Sequence, residues 1–307
     1  MKALVYTGPG TVEVQDRPKP TIQTPTDAVV RLLHASICGT DLHILKGDVP
    51  GVKPGLVLGH EGVGVVDAVG AAVTTHHVGD RAEFVRVPHA TLSLHSLSLA
   101  IDPHHAVALS DALPTGLECG VLSANIQPGC SVLIVGAGPV GLATLLAARL
   151  YTPALIVVID LDETRLLTAR RLGAHATILS TVPDARQRLL DLTRGDGFDA
   201  VVEAVGVPET FGLCQEVVAV GGRIANVGVH GTKVDLHLEK LWDRNISIHM
   251  SLVNATTTSR LLRLVESGQL DIGSLVTHHF PSVEGATAYT TFQAAAQHQA
   301  LKVAIDF

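Results

Sequence analysis

The apolar residues of this chain change rhythm about two fifths of the way along. In the first part they come in short alternating runs, at residues 28–33, 62–69 and 83–87, separated by Gly and Pro. Alternation with a period of two turns one face of a strand to a core and the other to water, so this part predicts an antiparallel, barrel-like unit. From about Gly129 the runs become wholly aliphatic, at residues 131–135, 155–160, 200–204 and 223–227, with helical stretches between them. Strands that are apolar throughout need cover on both faces, which predicts a parallel sheet between helices. Residues 163–172 and 184–193 carry apolar positions at helical spacing with charges opposite, as covering helices do, and 259–267 and 283–297 predict two more amphipathic helices. Residues 1–15 read as one alternating strand, and 302–307 as a strand that returns to complete the first unit. The fold class is therefore α/β, a doubly wound parallel sheet plus a mainly antiparallel β-barrel. Its domains are 1–115, completed by 257–307, and 116–256.

Length and composition sharpen this picture. A chain of 307 residues exceeds one ordinary core and suits two. With 47% hydrophobic and 17% charged residues the chain buries much of its surface, a subunit interface included, and disorder is excluded. The net charge of −7 and the lack of a Lys/Arg cluster exclude nucleic acid as a partner. Residues 132–150 form the longest apolar run, but Gly136, Gly138, Pro139 and Gly141 divide it into strand, turn and helix, so no membrane span is expected. The N-terminal stretch lacks the basic, apolar and small-residue order of an export signal. Cys38, Cys119, Cys130 and Cys214 are scattered with no CxxC pair, which fits a reducing, cytoplasmic location.

The first piece of chemistry is Gly136-Ala137-Gly138-Pro139-Val140-Gly141, entered from an apolar strand and followed by a helix. Gly136 permits the tight turn, Gly138 lets backbone approach a pyrophosphate, and Gly141 lets helix and strand pack closely, while the helix N-terminus favours negative charge. The next strand ends in Asp160, nineteen residues after Gly141, where a carboxylate accepts hydrogen bonds from the adenosine ribose and repels a 2′-phosphate. This is the dinucleotide-binding pattern of a Rossmann domain, with NAD preferred over NADP. A packing turn of glycines would leave Asp160 unexplained. Arg165 lies along the adenine or is a solvated helix arginine, two readings of equal weight.

The second piece is Cys38, in Cys38-Gly39-Thr40-Asp41-Leu42-His43, and His60, in Gly59-His60-Glu61. Thiolate, imidazole and carboxylate are ligands that suit tetrahedral zinc with a position left open for catalysis. A lone Cys and a lone His so far apart are, by themselves, more often residues of a core.

The run Gly59-His60-Glu61-Gly62-Val63-Gly64, followed by Gly70 and Val73, resembles the GHExxG signature of zinc-containing medium-chain alcohol dehydrogenases. The resemblance extends through Cys38–Asp41, Ser110-Asp111-Ala112-Leu113-Pro114-Thr115-Gly116, the glycine loop and Gly221-Gly222-Arg223, and is nearest to bacterial secondary-alcohol dehydrogenases and threonine- or sorbitol-dehydrogenase-like relatives. It implies a GroES-like catalytic domain beside the Rossmann domain, and Cys38, His60 and Asp111 as ligands of one catalytic Zn2+, with Glu61 exchanging on and off the metal. On the residues alone Asp111 reads as a helix N-cap before Ala112. The family's proton relay falls on Thr40 and His43, and Thr115 takes the position beside the nicotinamide. The implied reaction moves a hydride between NAD and a small, secondary alcohol or its carbonyl product, with zinc as Lewis acid. The family also implies a homodimer through the edge of the Rossmann sheet, or a homotetramer built from dimers.

The chain departs from the family in one place. Many relatives carry, after a Gly-Asp-Arg, an excursion with four cysteines around a structural zinc. Here Gly79-Asp80-Arg81 passes directly to Ala82-Glu83-Phe84, so no structural zinc is expected, and a wider, wetter substrate site is. Two rival readings stand beside the main one: a zinc-free reductase of the quinone-oxidoreductase type, and a non-catalytic NAD-binding or structural protein. The adjacent pairs His76-His77, His104-His105 and His278-His279 read as surface residues, because neighbours on a strand point to opposite faces. Trp242 reads as core or interface packing, or as part of the substrate site.

Overall fold

The computed structural model describes residues 1–76 and 84–307. His77, the Gly79-Asp80-Arg81 junction and Glu83 lie outside the described residues. The chain divides into two units, Met1–Asp111 with Thr258–Phe307, and Ala112–Thr257.

The first unit opens with β1 (Lys2–Gly8) and β2 (Thr11–Asp16), an antiparallel hairpin. The single strand expected over 1–15 is thus two, because the chain reverses through Gly8-Pro9-Gly10, where Gly10 takes φ of 76°. Then come β3 (Ala28–Ser36), the helix α1 (Gly39–Lys46), β4 (Gly62–Val69) and β5 (Phe84–Val87). β3 pairs antiparallel with β4 along its length and with β5 through its first four residues.

The second unit alternates strands and helices: β6 (Ser131–Val135), α2 (Pro139–Arg149), β7 (Leu155–Asp160), α3 (Glu163–Arg171), β8 (Ala176–Leu179), α4 (Ala185–Leu192), β9 (Phe198–Glu203), α5 (Pro208–Val217), β10 (Val218–Asn226) and β11 (Ser247–Met250). All six strands are parallel, in the order β11-β10-β9-β6-β7-β8. This is the doubly wound Rossmann order, whose direction of winding reverses between β6 and β9. Its core is built from those aliphatic runs, with Leu133, Val157, Ile159, Phe198, Val201 and Ile224 buried together.

The chain then returns to the first unit with α6 (Thr258–Glu266), β12 (Val276–Pro281), α7 (Gly285–Gln293) and β13 (Lys302–Asp306). β13 lies between β12, parallel to it, and β3, antiparallel. The last strand in sequence therefore sits inside the sheet. One helix expected over 283–297 is instead α7 followed by the separate turn Ala295–His298, with Ala294 at φ −96° and ψ 35°. The break carries Ala295 and Ala300 into the core with Tyr6, Ile37, Ile44, Phe292 and Ile305. Trp242 does not pack in a core: it is 79% exposed. Among the described residues no helix is long and apolar enough to cross a membrane.

Candidate metal and cofactor sites

Where β3 ends, the chain turns into α1 with Cys38 immediately before the helix. Asp41 in the first turn accepts the Cys38 N–H at 3.0 Å, fixing the backbone that carries the thiol. His60 and Glu61 lie just ahead of β4, which hugs β3 so closely that a side chain at Gly64 would collide with the Arg31 carbonyl. Asp111 closes the first stretch of the unit. Together Cys38, His60, Glu61 and Asp111 offer ligand atoms that all lie within 4.8 Å of one another. The Cys38 thiol is 3.5 Å from Asp111 Oδ2, and His60 Nε2 is 3.9 Å from that same oxygen.

A surrounding layer orients this group. His60 Nδ1 faces Asp41 Oδ1 at 3.7 Å, which leaves Nε2 directed at Asp111. Glu61, almost fully buried, receives the Ser36 hydroxyl and the Lys302 ammonium on Oε2, the latter at 2.5 Å. Its other oxygen, Oε1, is buried without a hydrogen-bond partner. A buried carboxylate oxygen left bare costs free energy unless a cation or donor reaches it. With a thiol, an imidazole and a second carboxylate alongside, the donor set and this bare oxygen fit a zinc ion.

The protonation of the group follows from its burial and its charges. Hydrogen bonding to Asp111, then to Cys38, pushes the His60 imidazole up to about 11. Burial pushes the Cys38 thiol up, with the charges of Glu61 and Asp111 adding to it. Burial likewise raises Glu61, against the pull of Lys302. Burial alone would lower the Lys302 ammonium, but Glu61 and then Cys38 outweigh it and raise it. Burial is thus the main reason the thiol and Glu61 shift upward, and the Asp111 carboxylate the main reason His60 does.

Thr40 Oγ1 is 3.6 Å from the Cys38 sulfur, and His43, one turn further along α1, directs Nδ1 at Asp48 Oδ2 at 2.8 Å. Ser36, Lys302 and Asp48 went unforeseen in the sequence, where each is an ordinary residue with no spacing to mark it, and Asp41 stood in the Cys38–Asp41 motif without a role.

In the second unit the glycine loop joins β6 to α2. Gly136 takes φ of 103°, which a side chain rarely adopts, and a Cβ at Gly141 would collide with the Gly136 carbonyl. Pro139 and Val140 begin α2, with Pro139 in its first turn. The space beside Gly138 is open, its nearest atom Arg165 Nη1 at 4.0 Å. Arg165 therefore reaches back over the loop and is not extended into solvent. Asp160 ends β7, accepting the Ala137 N–H on Oδ2 at 2.6 Å and the Asp162 N–H on Oδ1 at 2.9 Å. Each oxygen keeps a lone pair for a ribose hydroxyl. An open cradle at a helix N-terminus, a guanidinium above it and a carboxylate at the end of the next strand fit a dinucleotide. Thr115 belongs to this unit, in the turn Ala112–Thr115. At the end of β9 the buried Glu203, also unforeseen, receives the Val205 and Gly206 N–H groups and the Thr210 hydroxyl on Oε1, fixing the loop across the switch point.

Comparison with known proteins agrees with this geometry. Residues 24–98 match the model of the alcohol dehydrogenase GroES-like domain, and residues 139–267 that of the zinc-binding dehydrogenase. An alcohol dehydrogenase of Cupriavidus necator is 31% identical, with 99% of this chain and 98% of that protein covered. That alignment spans 363 positions, more than the chain's own length, so the relative carries residues this chain lacks. Among solved structures, zinc dependent alcohol dehydrogenase 2 from Streptococcus pneumonia superposes with a TM-score of 0.95 at 42% identity, covering 100% of this chain and 98% of the other. Alcohol dehydrogenase TADH from Thermus sp. ATN1 gives 0.90 at 31%, covering 100% and 99%.

Proposed function

Because this chain belongs to the zinc-containing medium-chain alcohol dehydrogenase family, we propose that it oxidises a small secondary alcohol, or reduces the matching carbonyl compound, with NAD as hydride carrier. The observation that carries this reading is the convergence of Cys38, His60, Glu61 and Asp111 within one ion's reach. Those four would hold one zinc ion, with Glu61 the exchangeable member because its second oxygen is committed to Ser36 and Lys302. Bound zinc supplies a Lewis acid that lowers the pKa of an alcohol toward neutrality.

The chain's own groups do the remaining work. Asp41 faces the His60 ring as a charge 3.7 Å away, and Lys302 holds the Glu61 carboxylate. Thr40 accepts the alcohol proton, and His43, oriented by Asp48, passes it toward water. The glycine loop and Asp160 position NAD, the carboxylate disfavouring the 2′-phosphate of NADP. Thr115 serves beside the nicotinamide. Positioning of this kind and charge stabilisation are the protein's contribution, the hydride chemistry being the cofactor's. The working assembly is a homodimer or homotetramer in the cytoplasm. The exposed Met250 on edge strand β11 and the exposed Leu252 just beyond it support a contact there.

The test is metal analysis followed by NAD reduction with a panel of small secondary alcohols. Zinc together with turnover is expected. Cys38→Ala should abolish turnover while NAD still binds, and turnover retained in that variant would overturn the zinc reading. Turnover without zinc would instead indicate a zinc-free reductase, and neither zinc nor turnover a nucleotide carrier.

A further inference from the structure

Away from the Cys38 group, four side chains of the first unit meet on one face of its five-stranded sheet. Asp306 on β13 stands opposite His34 on the antiparallel β3. On its other side β12 runs parallel and sets His279 opposite Ala304, two residues from Asp306 and therefore on the same face. The helical turn Pro103–Ala106 brings His104 over that face, its start fixed by Asp102, which accepts the His104 N–H at 2.9 Å. The Nδ1 atoms of His34, His279 and His104 lie 2.8, 3.6 and 3.8 Å from Asp306 Oδ1. The His34 and His104 rings overlap with centroids 3.9 Å apart, and His279 meets His104 edge-on at 5.0 Å. Beneath them Ala304 is buried with Val107 and Val276, which gives the group an apolar floor.

We propose that His34, His104 and Asp306, whose ligand atoms all lie within 4.8 Å of one another, form a second binding site for a divalent transition-metal ion, with His279, 3.6 Å from Asp306, as the ring that moves in to complete it. Bonds of about 2.0–2.1 Å in a tetrahedron hold neighbouring ligand atoms about 3.3 Å apart. The His34 and His104 distances to Asp306 bracket that spacing, so these three ligands need the His34–Asp306 hydrogen bond to open by about half an ångström, while His279 has also to approach the other two rings. Three neutral imidazoles with one carboxylate suit zinc, copper or nickel and not magnesium or calcium. Once His279 is drawn in, four protein ligands leave no open position, so the ion would clamp β12, β13, β3 and the 103–106 turn and do no chemistry. Neither histidine pair acts as a pair. Each lends one ring, and the sheet register, not sequence adjacency, assembles the group.

This site is independent of the Cys38 group, and the experiment separates the two. Zinc is titrated against a chromophoric chelator in the full chain, in Cys38→Ala, and in Cys38→Ala with His104→Ala and His279→Ala added. His104 and His279 are 45% and 36% exposed, so their loss should leave the fold intact, as an unchanged circular dichroism spectrum and unchanged hydrogen-exchange protection of β3 and β13 would report. The expected result is that zinc still bound in Cys38→Ala weakens by more than about 100-fold when the two rings go, beyond the loss typical of an outer partner. Zinc affinity indifferent to those histidines would overturn the proposal. Should the combined variant fail to fold, Cu2+ loaded into Cys38→Ala gives the second measurement. Its electron paramagnetic resonance should show coupling to several imidazole nitrogens, reduced in His104→Gln, and a spectrum unchanged by that substitution would equally overturn it.

Discussion

Glu61 and Lys302 form the most deeply buried ion pair among the described residues, with side chains 0% and 2% exposed. Removing one partner of such a pair strands the other's charge in a low dielectric, which costs about 3–5 kcal/mol. Lys302→Met should therefore lower unfolding free energy in denaturant titrations by about that amount, and Glu61→Gln in the same chain should restore part of it. A loss below about 1 kcal/mol would mean that Glu61 simply takes up a proton in the variant. The Cys38 group yields a pH dependence whose sign is fixed. Zinc needs Cys38 as thiolate and His60 neutral, yet both hold their protons above the ordinary range, His60 up to about 11. Metal binding at neutral pH must expel those protons, so affinity rises with pH, by roughly tenfold per unit for each proton displaced. Chelator competition at several pH values between 6 and 8 measures this, and a flat profile would contradict it. At this scale the sequence was legible only through the resemblance. Cys38 and His60 were readable alone as core residues and Asp111 as a helix cap. Of the charges that support them, Asp41 is local to Cys38 but reads as an ordinary first-turn acid, and Lys302 carries no local pattern because strand register brings it in from a distance.

At the scale of elements, the segment from β6 to β7 was the most readable, since its strand, glycine turn, helix and terminal acid each answer to local rules. What local rules did not reveal is that Asp160 ties the loop to the strand end through the Ala137 N–H. Asp160→Ala should consequently do more than relax cofactor choice. NAD affinity should fall about 10- to 100-fold, the range of one or two charge-assisted hydrogen bonds, while discrimination against NADP narrows. Fluorescence titration with both cofactors checks this, and an unaltered preference would remove Asp160 from cofactor selection. The strands β8, β11 and β12 were not foreseen. β8 and β11 are four residues long, and β12, Val276-Thr277-His278-His279-Phe280-Pro281, sets three polar residues in a row between its apolar ones and ends on proline. The hairpin at residues 8–10 was missed because its flanks alternate in phase across the turn, so the glycines were the only sign of reversal.

On the scale of the whole molecule, the second unit is a continuous insertion into the first. A segment covering residues 112–257 carries a complete parallel sheet and its own core, and should fold alone with a cooperative melt that NAD raises. A segment of residues 1–111 lacks β12 and β13, leaves the inner edge of β3 open and Glu61 without its cation, and should not fold. Circular dichroism and hydrogen exchange on the two segments test this, and a protected, cooperative 1–111 segment would refute it. The change of rhythm near Gly129 announced the two cores, because periodicity follows burial; how strands distant in sequence interleave follows from long-range pairing and left no such trace.

The place of β13 inside its sheet has a consequence for biosynthesis. In chain order Cys38, His60, Glu61 and Asp111 come before the second unit, yet the lysine that neutralises Glu61 and the aspartate that faces three histidines are both on β13, which comes after it. The nucleotide-binding half can mature while translation is still under way. Any ion destined for the first unit has to wait for that later strand to thread between β12 and β3, so metal loading follows synthesis of the second unit.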